Sequence, residues 1–213
     1  MFATGGKTPG EGGSGLKKLI DAVHEKILRA NIVGVVSNNP HGGVFDIAMR
    51  FGIPFIYSPK GRTADDYKRF VRDTTADFVA LSGWLGMVEG LDPKTTFNIH
   101  PAYDLIKFGG KGMYGHHVHE AVITAFKRGE ITSTGVTMHF VTKKYDDPTA
   151  TFFKYPVPIL QNDTPETLQK RVNGVEHHWQ AIITDKVVNG EIRWDGENAS
   201  SIVGADIREI GKD

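Results

Sequence analysis

Apolar positions along the chain follow two rhythms. Leu16, Leu19, Ile20, Val23, Ile27 and Leu28 recur at helical spacing behind Ser14, which suits an N-cap. Ile32 to Val36 is instead an unbroken, mostly β-branched run that stops at Ser37-Asn38-Asn39-Pro40, the pattern of a buried parallel strand and its exit turn. The alternation repeats with a helix over Val44 to Phe51, a strand over Gly52 to Tyr57, a helix from Thr63 to Arg72 and a strand over Asp77 to Gly83. Strands separated by helices predict right-handed βαβ units. Beyond them come a strand ending at Phe97 to Pro101, a helix over Tyr114 to Lys127, and strands over Gly135 to Thr142 and Thr151 to Val157. Thr164 caps a further helix with Pro165 at its first position, running to about Ile183. Asn189-Gly190 predicts a two-residue hairpin turn. The expected fold is α/β: a Rossmann-like, mostly parallel twisted sheet with helices on both faces.

Composition narrows the function. The 213 residues suit one domain, and no stretch approaches the roughly 18 apolar residues of a membrane-spanning helix. Lys plus Arg number 25 and Asp plus Glu 25, so the net charge is zero and a nucleic-acid surface would have to come from local patterning, which argues against nucleic acid as the main partner. The absence of cysteine removes disulfides, thiol nucleophiles and thiolate zinc sites. With no basic and apolar leader at the start, a cytoplasmic location is expected.

Several motifs fail on inspection. Gly6-Lys7-Thr8 resembles the end of a phosphate loop, but Met1 stands where that pattern needs glycine. Gly10 to Gly15 matches GxGxxG, yet Ser37-Asn38 replaces the acidic residue that a dinucleotide ribose requires. The local physics survives, because glycines open backbone N–H groups beside a helix start and so suit a phosphate. His116, His117 and His119 lack a carboxylate at ligand spacing and read as solvated or capping residues. His139 reads as a structural histidine, and of His177 and His178 one should face the core and the other water. Asn98-Ile99-His100 carries more, since residues two apart at a strand end point the same way. An amide that donates to an oxyanion beside an imidazole that exchanges a proton suits acyl transfer without a covalent nucleophile; turn chemistry would use the same residues.

Asn98-Ile99-His100-Pro101, Phe108-Gly109-Gly110-Lys111-Gly112-Met113-Tyr114-Gly115, Thr134 to Val141, Tyr145-Asp146 and Asp163-Thr164-Pro165-Glu166 together resemble the folate-dependent formyltransferases, in particular those acting on phosphoribosylglycinamide in purine synthesis. The likeness covers nearly the whole chain. It implies a single formyltransferase domain over 1–213, with 1–100 as the nucleotide-phosphate half and 101–213 as the folate and catalytic half. It further implies that Asn98, His100 and Asp146 are catalytic, that Gly12, Gly13, Ser14 and Gly15 hold the ribose-linked phosphate, and that Arg62 and Glu176 bind the same substrate, Glu176 at the ribose hydroxyls. Leu85, Gly86, Met87, Val88, Thr142 and Tyr145 would face the folate. The substrates implied are glycinamide ribonucleotide and 10-formyltetrahydrofolate, with no metal, and a homodimer is left open. The carboxylate near His100 should raise that imidazole above its usual 6.5 or so.

Two features depart from the family. The first strand offers only Phe2-Ala3-Thr4, and Asp146 is followed by Asp147-Pro148 where the family has glycine, so Asp147 competes for the catalytic place. The rival readings are a formyltransferase for another amine, such as an amino sugar nucleotide or methionyl-tRNA, and a paralogue that binds folate or nucleotide without turnover. The tRNA enzymes normally carry a further basic domain, which is not expected here.

Overall fold

The computed structural model describes residues 1–4, 6, 8, 10–59 and 61–210. Gly5 and Lys7, part of the glycine-rich segment and of the rejected phosphate-loop motif, lie outside them. In chain order the elements are β1 (Phe2–Ala3), α1 (Ser14–His24), β2 (Val35–Ser37), α2 (Gly43–Arg50), β3 (Phe55–Tyr57), α3 (Ala64–Thr74), β4 (Val79–Ser82), β5 (Thr96–His100), α4 (Leu105–Phe108), α5 (His116–Lys127), β6 (Ser133–Phe140), β7 (Thr151–Pro158), α6 (Pro165–Val188) and β8 (Asp206–Ile207). The strands form one sheet in the order β3-β2-β1-β4-β5-β6-β7-β8. Pairing is parallel from β3 to β5, antiparallel between β5 and β6 and between β6 and β7, and parallel again at β8.

The two-residue β1 is central, paired with β2 and β4. Its register is extended by Met1, whose carbonyl accepts from Val36 N–H at 2.9 Å and whose terminal amine donates to the Gly34 carbonyl at 2.8 Å. The strand order reverses between β1 and β4, which leaves a crevice at the carboxyl ends of these strands. Thr63 caps α3 and Thr164 caps α6, each by a reciprocal pair of bonds with the third helical residue.

Two local expectations change. Ser14 is the first residue of α1 and not its cap; Gly13, at φ 81°, takes the cap position with no side chain to offer. Asn189-Gly190 forms no hairpin, because α6 continues to Val188 and the pair terminates it: Asn189 is the C-cap, and Gly190, at φ 76°, donates its N–H to the Val187 carbonyl. The signal for φ above zero was real, but it served a helix end.

The largest apolar cluster lies between the antiparallel strands, α5 and α6. Phe152 is fully buried there, with its ring 4.6 Å from Phe140 and 6.3 Å from Phe97 between centroids. Phe152→Ala should lower the free energy of unfolding by about 3–5 kcal/mol, seen as a lower urea midpoint at unchanged slope; a change below about 1 kcal/mol would mean that this packing is dispensable.

Candidate active site

β5 is the strand at which the sheet passes from parallel to antiparallel pairing. Alternation turns Asn98 and His100 to one face, and the antiparallel register sets His139 of β6 opposite Asn98. Asn98 Nδ2 lies 3.3 Å from His139 Nε2. Asp146 joins from the loop after β6. Its Oδ1 is 3.3 Å from His139 Nε2 and 3.4 Å from Asn98 Nδ2, and its Oδ2 is 3.6 Å from His100 Nδ1. The Gly110 N–H donates to Oδ2 at 2.8 Å. Asp146 adopts φ 44°, a left-handed conformation that non-glycine residues rarely take. Gly109 permits that approach, because a Cβ there would stand 3.0 Å from the Asp146 Cβ and 2.5 Å from the Leu105 carbonyl oxygen.

Carbonyl oxygens only accept, which assigns the ring protons. His100 Nε2–H donates to the Phe108 carbonyl at 2.7 Å, and His139 Nδ1–H donates to the Phe140 carbonyl at 3.0 Å. In the neutral rings the remaining nitrogens present lone pairs toward Asn98 and Asp146. The expected rise in the His100 pKa is reversed. The ring is 4% exposed, and burial lowers its pKa more than the Asp146 charge and the Phe108 carbonyl raise it. Burial also pushes the Asp146 carboxyl up, but with both imidazoles protonated the His139 hydrogen bond, the charges of His100 and His139 and the Gly110 N–H prevail and hold it at about 2.

Asp147 is otherwise engaged. It caps the short turn Pro148–Ala150, accepting from Thr149 N–H at 3.0 Å, Thr149 Oγ1 at 2.7 Å and Thr142 Oγ1 at 2.9 Å. Pro148 opens that turn, where its missing N–H is no loss.

These groups form one end of a cavity of about 570 Å³. Gly12 to Gly15 form the other end, with Gly12 and Gly13 at φ 80° and 81°. A Cβ on Gly15 would stand 2.4 Å from Ser82 Oγ, so α1 can start this close to β4 only with glycine there. Ser14 Oγ lies 3.1 Å from His177 Nε2. Glu176 lines the same end, its carboxyl pushed up to about 7 by burial. Leu85 to Val88 and Tyr145 line the cavity as well, which therefore draws on both halves of the chain.

Arg62 and Thr142 do not line it. The Arg62 guanidinium donates to Ser58 Oγ at 2.8 Å and to its carbonyl at 2.9 Å, and stacks 4.3 Å from the Trp84 ring centroid. Thr142 holds Asp147 and accepts from Lys144 N–H at 3.1 Å. Two histidines do line it against expectation. His139 reaches the site through strand register, which no local motif encodes, and His119 is 1% exposed because it falls on the inner face of α5 while His116 and His117 remain in solvent. Among the described residues no group of three or more His, Asp or Glu could hold a metal ion, and no helix is long and apolar enough to cross a membrane.

Residues 10–184 match the Formyl transferase family. The chain belongs to this family. The chloroplastic phosphoribosylglycinamide formyltransferase of Arabidopsis thaliana is 32% identical over 194 residues, covering 86% of this chain and 64% of that protein. The chain thus spans about three-fifths of its plant relatives, 64% for A. thaliana and 60% for Vigna unguiculata. Among solved structures, glycinamide ribonucleotide transformylase 1 of Symbiobacterium toebii superposes with a TM-score of 0.76 at 24% identity, over 96% of this chain and 93% of that one. The phosphoribosylglycinamide formyltransferase of Brucella melitensis gives 0.67 at 27% identity, over 87% and 92%. The mixed sheet with its antiparallel β5–β6 junction is the formyltransferase fold.

The depressed Asp146 pKa carries a stability consequence with a definite sign. Its folded value of about 2 lies below the ordinary 3.8, so the carboxylate stabilises the fold above about pH 4, and that contribution fades as pH falls toward 2. Asp146→Asn should therefore cost about 2 kcal/mol at neutral pH, with the gap closing in the acid range. Urea unfolding across pH reads this directly, and a gap that stays constant down to the lowest pH would assign the loss to shape and not to charge.

Proposed function

We propose that this chain transfers the formyl group of 10-formyltetrahydrofolate to the primary amine of glycinamide ribonucleotide. The observation that carries the reading is the arrangement of one cavity: an amide, two imidazoles and an ionised carboxylate at one end, and a glycine-rich helix start with a carboxyl group at the other. The names of the relatives agree with it. The geometry suits a substrate whose amine reaches Asn98 and His100 while its phosphate sits on Gly12 to Gly15 and its ribose hydroxyls meet Glu176. Leu85 to Val88 and Tyr145 then flank the folate. Leu85 and Tyr145, 43% and 40% exposed, give the rim apolar surface for a flat ring system.

The bond from formyl carbon to donor nitrogen breaks as the bond to the amine forms, and the proton lost by the amine ends on the donor nitrogen. Asn98 Nδ2 donates to the formyl oxygen as negative charge gathers there; its resting contacts of 3.3 and 3.4 Å are long enough to yield. His100 Nδ1, with its lone pair free in the neutral ring, takes the proton. The imidazolium that results has the Phe108 carbonyl on one side and the Asp146 carboxylate on the other. Burial keeps the ring uncharged at rest, and the carboxylate compensates the charge only when the proton arrives. The non-catalytic reading rested on the short first strand, which is nevertheless paired on both sides, and on the altered Asp146 loop. Asp147 takes up the turn while Asp146 remains with the histidines, which favours turnover. Arg62 and Thr142 act here by supporting Trp84 and the Asp146 loop.

Asn98→Ala and His100→Ala should each lower kcat about a hundredfold to a thousandfold in a formyl-transfer assay, with the far-ultraviolet circular dichroism unchanged. Near-normal turnover in Asn98→Ala would remove the amide from the chemistry. Gly13→Val places a side chain 2.9 Å from Ile47 Cδ1 at a positive φ, so it should weaken nucleotide affinity and leave folate affinity intact. Equal loss of both ligands would point to misfolding or, with the circular dichroism unchanged, to a phosphate site elsewhere.

A further inference from the structure

Ser14 and Lys18 share one face of α1, a helical turn apart, and His177 of α6 packs against it. The imidazole is half-buried, lines the cavity and holds Nε2 3.1 Å from Ser14 Oγ, the first hydroxyl after the glycine cap. No step of the transfer uses it. A purely structural tie between α1 and α6 would account for the contact, but not for a titratable ring placed beside an anion site. We propose that His177 is a second anchor for the ribose-linked phosphate, taking up a proton as the phosphate binds and donating Nε2–H to it. The inference rests on the phosphate placement proposed above.

The physical argument concerns what surrounds the ring before and after binding. In the free protein, burial and the positive charge of Lys18 both favour the neutral imidazole. A phosphate at the start of α1 brings close to two negative charges beside it, which favours the imidazolium and turns a weak hydroxyl contact into a charge-assisted hydrogen bond. Lys18 is the charged group facing the ring from α1, and Glu176 adjoins it on α6. His178, next along, is exposed and packs edge-on to Trp179. Nucleotide affinity should therefore fall as pH rises through the imidazole range.

Two other groups titrate in that range, Glu176 at about 7 and the phosphate itself near 6. Both remain in His177→Gln, which keeps a hydrogen bond to Ser14 and loses only the titration, so the difference between the two proteins isolates His177. Calorimetry with glycinamide ribonucleotide and with inorganic phosphate, in buffers of unlike ionisation enthalpy, counts the protons taken up. The expected result is greater proton uptake in the wild type by up to one proton. The affinity gap should be on the order of tenfold near pH 6 and vanish above about pH 8. Equal proton counts, or a gap independent of pH, would overturn the proposal and leave a structural tie. If the wild type binds neither ligand, or if Gly13→Val leaves their binding unchanged, the phosphate placement itself fails.

Discussion

Asp146 keeps its charge in a place nearly closed to water, its side chain only 11% exposed. An isolated carboxylate would not remain ionised there, so the surroundings must provide what water no longer does. The Asn98 amide and the Gly110 N–H donate to it, and the imidazoles of His100 and His139 beside it add their charge when they take a proton. They come from β5, from β6 and from the segment after α4. Much of the local architecture follows from bringing them together: the antiparallel register of β5 and β6, α4 with its Asp104 cap presenting the Phe108 carbonyl, and the glycines at 109 and 110. The left-handed backbone at Asp146 is tolerated because this set of bonds fixes it.

The opposite end of the cavity follows another logic. There the backbone is exposed by removing side chains: Gly12 and Gly13 take positive φ, and Gly15 lets α1 approach β4. The helix start offers N–H groups to an anion, and burial raises the Glu176 carboxyl at the same end to about 7. A charged, tightly bonded end and an open, glycine-lined end suit the proposed substrate, held at its phosphate and reacting at its amine.

Much of this was legible in the sequence, for local reasons. The βαβ rhythm, the capping residues Thr63 and Thr164, and the side-by-side placement of Asn98 and His100 depend on periodicity and short-range chemistry. Counting along the family motif selected Asp146, and the turn around Pro148 gives Asp147 a separate use. What the sequence could not show were long-range effects. The pairing of Asn98 with His139 is a matter of strand register, and the inward turn of His119 depends on how α5 packs. The sign of the His100 shift depended on comparing burial with a neighbouring charge, and the depth of burial is a property of the folded chain. Asn189-Gly190 could serve a hairpin or a helix end equally well until the length of α6 was known. Arg62, which the family resemblance places at the substrate, bonds Ser58 and stacks on Trp84, contacts that only the folded chain reveals.

The claim on which the rest depends is that Asp146 is ionised at working pH and that His100 beside it is neutral. Nuclear magnetic resonance of the intact chain, with carbon-13 in the aspartate carboxyl groups and nitrogen-15 in the histidine rings, measures both in one titration. The Asp146 carboxyl resonance should stay flat from neutral pH down to about 4 and move only toward about 2, while the His100 nitrogens report a neutral Nε2–H ring at neutral pH. An Asp146 midpoint at or above the ordinary 3.8, or a His100 ring already doubly protonated at neutral pH, would contradict the account.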